Sequence, residues 1–332
     1  MSIKAIATLK IGIVGTGYAA KKRAEALEGD QRAELLAVTG NTPEKIQEFC
    51  QIFSVKPVDS WSKLVSLPEL DLIFICTINR DCGAIAKAAI LAGKHIVVEY
   101  PLALDPQVAA EIITLAETNQ KLVHVEHIEI IGGLHQAMKQ NLPHIGKVFY
   151  ARYATISSKN PVERCWNYHR EMFGFPLAAA LSRIHRLTDL FGTVDRVTCE
   201  NRYWDVPGTD YFTACLCNAQ LHFTQDIVAE VTYGKGDVFW HSHRTFEIHG
   251  DKGTLLFEGE KGTLIRGQEK SEIAVTSRRG LFVKDTTMVL DYLFDDQPLY
   301  VQPQASLYAL QVADAARKSS SVNQTIDLFT LR

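Results

Sequence analysis

Over the first 125 or so positions, apolar residues fall in short, nearly unbroken runs separated by stretches with helical spacing. Lys10-Ile11-Gly12-Ile13-Val14 predicts a short buried strand, and Tyr18 to Glu28, after a glycine turn, predicts a helix. Leu35-Leu36-Ala37-Val38 predicts a second strand and leads to Thr42-Pro43, an N-cap followed by proline at the first helical position. Leu70 to Thr77 is almost continuously apolar, as a strand covered on both faces must be. The helix after it ends at Ala92-Gly93, and His95 to Glu99 predicts the next strand. Asp105-Pro106 caps a further helix, which gives way to a strand over Leu122 to Val125. This alternation of strand and helix predicts a doubly wound parallel sheet.

After Gly146 the period changes from helical to two. Lys147 to Ser158, Val194 to Trp204, Asp210 to Thr224, Ile227 to Tyr233 and Arg244 to Gly250 alternate as half-buried strands. Gln225-Asp226 and Asp251-Lys252-Gly253 supply turns between them. One amphipathic helix, Leu177 to Phe191, interrupts the run, and another, Ser306 to Arg317, closes it. The predicted fold class is therefore an α/β domain with a doubly wound parallel sheet, followed by an α+β domain with a large, mainly antiparallel sheet. The boundary falls within residues 126–146, which divides the chain into 1–128 and 129–332.

Composition narrows the field. A chain of 332 residues, 46% hydrophobic and 22% charged, is an ordinary globular protein. A net charge of −3 leaves no electrostatic footprint for nucleic acid. No apolar run approaches the roughly 20 residues of a membrane helix, and the N-terminus lacks the pattern of a secretion signal. Seven scattered cysteines fit reduced thiols in a cytoplasmic protein. A monomer or weak homo-oligomer is expected.

The candidate chemistry begins with Gly15-Thr16-Gly17-Tyr18-Ala19-Ala20, a G-x-G-x-x-A pattern between a strand and a helix. Gly15 permits the tight turn, Gly17 lets a pyrophosphate reach the backbone, and the helix N-terminus stabilises its charge. Lys21-Lys22-Arg23 reads as a solvated helix face, with phosphate contacts as the alternative. At the end of the second strand, where NAD sites carry an acid for the ribose hydroxyls, stands Thr39-Gly40-Asn41-Thr42 with Lys45. Nothing there repels a 2′-phosphate, and Asn41, Thr42 and Lys45 suit one, so NADPH/NADP+ is the expected cofactor. Thr77-Ile78-Asn79 and Glu99-Tyr100-Pro101 close the cofactor side at the ends of later strands.

Taken with His249-Gly250-Asp251-Lys252-Gly253-Thr254-Leu255, these motifs resemble the Gfo/Idh/MocA oxidoreductase family over essentially the whole chain. The resemblance implies a Rossmann domain followed by an open antiparallel sheet. Two departures stand out. The family's usual Glu-Lys-Pro, with lysine as proton donor, is Glu99-Tyr100-Pro101, and the helix from Leu177 lacks the usual Asp-x-x-x-His. Within the family, Val98-Glu99-Tyr100-Pro101, His124-Val125-Glu126-His127-Ile128-Glu129 and Phe173-Gly174-Phe175-Pro176 with Ser182-Arg183 resemble the bilin-reducing members, of the cyanobacterial kind. That branch implies NADPH-dependent hydride transfer to the central methine carbon (C10) of a linear tetrapyrrole, with protonation of a pyrrole nitrogen. An oxidoreductase on another substrate and a non-catalytic NADP-binding regulatory protein remain as alternatives.

A bilin is wide and apolar and carries two propionates, so it calls for cationic anchors. Arg183 and Arg186 are three apart on a predicted helix and share a face. Guanidinium binds a carboxylate bidentately or stabilises developing charge. Glu126 ends the sixth strand, close to the nicotinamide by topology, either as a functional carboxylate or as one bonded to backbone. Tyr100 offers a phenol that stacks or hydrogen-bonds. Trp166 and Tyr168 stand in a loop read as overhanging the substrate or packed beneath it. Arg244, Arg278 and Arg279 are further propionate candidates or plain surface charge. No metal is expected: His124-x-x-His127 on a strand divides its rings between faces, and His241-Ser242-His243 lacks a third ligand.

Overall fold

The computed structural model describes residues 8–328, and the chain forms two units. The first runs to Ile128 and takes in Arg279–Leu307; the second comprises Glu129–Arg278 and the chain from Tyr308 onward.

In the first unit β1 (Leu9–Val14), α1 (Tyr18–Leu27), β2 (Ala33–Thr39), α2 (Pro43–Phe53), β3 (Lys56–Pro57), α3 (Trp61–Val65), β4 (Leu72–Ile75), α4 (Asn79–Leu91), β5 (His95–Glu99), α5 (Pro106–Thr118) and β6 (Val123–Glu126) follow in order. The strands make a wholly parallel sheet in the order β3-β2-β1-β4-β5-β6, which reverses direction of growth beside β1. Ligands bind such sheets outside the carboxyl ends of the strands at that reversal. β1 and β4 are almost entirely buried, which is why their sequences read as unbroken apolar runs. The short β3 and α3 carry too few periodic positions to be seen in sequence.

The second unit begins with α6 (Ile128–Ile131) and α7 (Gly133–Asn141), then β7 (Val148–Ser158). Three short helices follow: α8 (Arg170–Phe173), α9 (Pro176–Ala179) and α10 (Ser182–Phe191). Next come β8 (Val194–Asp205), β9 (Phe212–Phe223), β10 (Val228–Gly236), β11 (His243–Gly250), β12 (Gly253–Glu258), β13 (Lys261–Arg266) and β14 (Glu269–Ile273). The chain then returns to the first unit with α11 (Leu281–Asp295); α12 (Pro303–Val322) begins there and ends in the second unit, which β15 (Ile326–Asp327) completes. The nine-stranded sheet runs β14-β13-β12-β11-β7-β10-β9-β8-β15; only β7 and β10 are parallel, the rest antiparallel.

Register sorts this sheet's residues by face, since paired positions point the same way. One row across β11, β7, β10, β9 and β8 is Arg244, Thr155, Tyr233, Cys217 and Asn201. The row beside it is Phe246, Tyr153, Val231, Ala219 and Cys199. The opposite face carries a charged row, with Arg152 in register with both Glu230 and Glu247.

Two expectations need correction. The helix predicted over Leu177 to Phe191 is broken: Ala180, at ψ 41°, leaves helical geometry, and buried packing of Ala180 and Leu181 overrides their helix propensity. The segment 279–307 belongs with the first unit, not the second. Its helix α11, unread in the sequence, inserts Val289, Leu290 and Leu293 into the core formed by Leu9, Ile11, Ile13, Ala20, Ala24 and Leu27.

Candidate active site

The cofactor side is built on the β1–α1 turn. Gly15 has φ +122°, and a Cβ there would lie 2.0 Å from the Cys76 carbonyl oxygen, so no other residue fits. Gly17 differs: a Cβ on it would meet nothing within 4 Å, so the space before the turn is clear of the chain's own atoms. Gly17 also N-caps α1 without a side-chain bond, leaving the helix N-terminus open toward an anion. These features fit a dinucleotide pyrophosphate. At the end of β2, Gly40 packs against Thr16. Asn41 and Lys45 are exposed, and Thr42 N-caps α2 without spending its hydroxyl on a cap bond. Tyr18 and Ala19 open α1; Tyr18 is 72% exposed and meets Phe282 edge-on.

Lys21 and Lys22 pair with Glu48 and Glu25 at 2.6 Å each, but Arg23 does not lie on a solvated face. It is fully buried, donating from Nε to Glu99 at 3.1 Å and from Nη1 to Asp285 and Thr286.

Glu99 and Glu126 are register partners at the ends of β5 and β6. The Tyr100 ring stacks on His127 at 5.2 Å with 5° between planes, and the Tyr100–Pro101 bond is cis. Glu126 is buried and accepts a hydrogen bond from the Ile128 amide at 2.7 Å, so one of its oxygens serves the backbone. Thr77 and Ile78 lead into α4, whose first residue, Asn79, is buried. The strand histidines are engaged locally: His124 with Asp285 at 2.8 Å and His127 with Ser306 at 2.8 Å.

In the second unit α10 carries Arg183 and Arg186. Arg183 donates to Ser182 at 2.9 Å and lies over the Tyr233 ring at 5.3 Å. Arg186 is 5% exposed. These two guanidiniums and Arg244 converge on Tyr153, a residue the sequence reading missed. Burial alone would push this phenol's pKa up; Arg186, Arg183 and Arg244 outweigh it and hold the pKa below the usual value, against Glu129. Burial pushes Arg244 below its ordinary pKa; Tyr153 and Glu260 oppose the shift, while Arg278 and Arg186 add to it. Arg186 Nη1 and Arg244 Nε are buried with no hydrogen-bond partner among the described residues. Such a cluster of like charges, part of it buried, is stabilised by an anion. The parity of β7 alone marked Tyr153 as inward, and an inward tyrosine on a strand reads as core.

Other candidates stand apart. Tyr168 is packed in an aromatic cluster with Phe173 and Phe212, so its ring is core rather than a ligand platform. Trp166 is 39% exposed at the rim of that cluster. Lys235, also missed, sits 3.5 Å from the Phe173 ring centre and 4.5 Å from that of Tyr168, and donates to the Asn167 carbonyl. Arg278 and Arg279 are exposed.

An open glycine turn on a parallel sheet with the Rossmann strand order, followed by a second unit built on a large mixed sheet, is the architecture of two-domain, dinucleotide-binding oxidoreductases. Residues 9–127 match the oxidoreductase family's NAD-binding Rossmann fold and residues 139–328 its C-terminal alpha/beta domain. The chain belongs to the Gfo/Idh/MocA oxidoreductase family. Among solved structures it is similar to biliverdin reductase from Synechocystis sp. PCC 6803, crystallised with biliverdin and NADP+. That likeness has 54% identity and a TM-score of 0.93, over 94% of this chain and 99% of that one. It is also 29% identical over 195 residues to biliverdin reductase A of Mus musculus and 31% over 143 residues to that of Homo sapiens. These alignments take in 58% and 42% of this chain, and span 62% and 45% of the mouse and human proteins.

Proposed function

We propose that this chain reduces biliverdin to bilirubin with NADPH. The observation that carries the reading is the cluster of Arg183, Arg186 and Arg244 about Tyr153, a part-buried cationic site in which Arg186 Nη1 and Arg244 Nε have no hydrogen-bond partner among the described residues. It suits a substrate with two propionates, and the 54% likeness to a structure holding biliverdin and NADP+ supports it. When bound, NADPH supplies the hydride for the C10 methine carbon. The open N-terminus of α1 would hold the pyrophosphate, and Asn41, Thr42 and Lys45 the 2′-phosphate. Arg183, Arg186 and Arg244 anchor propionates, and the guanidiniums stabilise charge that develops on the bilin. Arginine is too weak an acid to be the proton source, so water ordered beside it carries the proton to the pyrrole nitrogen. No alcohol is deprotonated in this reaction, and Tyr100 accordingly serves as a ring platform at the nicotinamide end rather than as a replacement acid. Glu126, which accepts from the Ile128 amide, holds the β6 end in place.

Mixing the purified chain with NADPH and biliverdin tests the reading. Loss of green absorbance with growth of a yellow product is expected, with a KM for NADPH at least tenfold below that for NADH. Tight NADPH binding without turnover of any bilin would sink it; an equal KM for NADH would sink the 2′-phosphate assignment. On the same reading the protein is cytoplasmic and at most a weak homo-oligomer. The outward face of the second sheet bears Arg152, Glu230 and Glu247. Sedimentation should return a mass near 37.1 kDa at micromolar concentration.

A further inference from the structure

All the geometry of this inference lies within the first unit. Asp285, on α11, is wholly buried. Its Oδ2 accepts from Arg23 Nη1, while its Oδ1 accepts from the Tyr300 hydroxyl at 2.6 Å and meets His124 Nε2 at 2.8 Å. Both lone-pair regions are therefore spent, each leading in a different direction. Through Arg23 the path runs to Glu99, held at 3.1 Å by Arg23 Nε, and Glu99 is the residue immediately before Tyr100. Through Tyr300 it runs to His127, whose amide donates to the Tyr300 hydroxyl at 3.0 Å and whose ring stacks on Tyr100. His127 is fixed from a third side by Ser306, a residue of the same returning segment.

The charge pattern makes the arrangement selective for Asp285. Burial opposes ionisation of both members of the Arg23–Asp285 pair, yet their mutual attraction prevails. Arg23 is held above its ordinary pKa by Asp285 and Glu99, and Asp285 well below the carboxylate range by Arg23 and His124. Burial and the Asp285 charge push the Tyr300 phenol up, so it stays a donor to Asp285. Networks of this kind are geometrically exacting, because a half-satisfied buried charge is worse than none.

We infer that Asp285 is a positioning residue for Tyr100, gripping it from its backbone side through Arg23 and Glu99 and from its ring face through Tyr300 and His127. The inference rests on the reading of Tyr100 as the ring platform at the nicotinamide end. A side chain steadied from two directions by one carboxylate presents its surface at a set angle, and a hydride acceptor must be met within a fraction of an ångström. The consequence belongs in kcat rather than in cofactor affinity, since the pyrophosphate turn makes no part of the network.

The test is a kinetic cycle. Tyr300→Phe keeps the ring and removes only the hydroxyl that joins Asp285 to His127; Asp285→Asn weakens both arms. Each is expected to lower kcat at least fivefold with the KM for NADPH within twofold of wild type. Asp291→Asn, on the same helix but bonded to Arg32 at 2.8 Å, should leave both constants unchanged and so reports what helix docking alone does. In a Tyr100→Leu background, adding Tyr300→Phe should cost no more than a further twofold. Wild-type kcat in Tyr300→Phe, or a full multiplicative loss on top of Tyr100→Leu, overturns the inference. If Asp285→Asn does not fold, Tyr300→Phe decides. Tyr100→Leu at wild-type kcat overturns the reading of Tyr100 itself, whatever Tyr300→Phe does.

Discussion

Tyr100 and the arginines of α10 were visible as residue types; their neighbourhood was not. A tyrosine where related oxidoreductases carry lysine announces a loss of alcohol acid–base chemistry, and i, i+3 spacing places Arg183 and Arg186 on one side of a helix. What spacing could not reveal is Tyr153, because the three guanidiniums meet it from α10 and β11, sixty residues apart in sequence. Arg183→Ala and Arg186→Ala should each lower kcat tenfold or more, about 1.4 kcal/mol of barrier, in steady-state bilin reduction. A further effect follows from charge. The Tyr153 phenol ionises below its ordinary pKa because the cations favour phenolate. As pH rises through that lowered value, the cluster loses one net positive charge, and anionic substrate binds less well. KM for biliverdin should therefore climb on the alkaline side, under groups that face Tyr153 from α10 (Arg183, Arg186) and β11 (Arg244), with Glu129 opposing. Tyr153→Phe should flatten that rise; an unchanged KM–pH profile in the variant would count against it.

At the scale of elements, parity and period worked where one element meets one surface. The strands of the first sheet were legible because burial on both faces removes polar residues, and those of the second because one face stays polar. α11 was not legible: its apolar positions show that a stripe is buried but not that the partner is α1, more than 250 residues earlier in the chain. Arg23 was misread for the same reason, since its carboxylates arrive from distant elements, Glu99 with β5 and Asp285 with α11. β10 holds another case. Lys235 anchors the Trp166–Tyr168 turn under three aromatic rings. Burial pushes its ammonium down to about 8, with Cys215 and Cys165 pulling the other way. The folded state thus binds fewer protons than the unfolded state between pH 8 and the ordinary 10.5, so this site's contribution to stability rises with pH across that window. Subtracting the denaturant stability of Lys235→Met from that of wild type at pH 7.5, 9 and 10 should show the rise. A difference independent of pH would mean that the rings offset the burial in full.

At the scale of the molecule, the two-domain plan was legible and the path of the chain through it was not. Residues 279–307 come back to the first unit after the whole nine-stranded sheet has been laid down. During synthesis this order has a cost. When the first 128 residues have left the ribosome, Arg23 has Glu99 but not Asp285, its wholly buried carboxylate partner, and Leu9, Ile13 and Leu27 lack the cover of Val289, Leu290 and Leu293. The cofactor half of this protein is therefore begun first and finished nearly last, and a nascent chain must shelter an open apolar face and a cation with only one of its two carboxylate partners until about nine-tenths of its length exists.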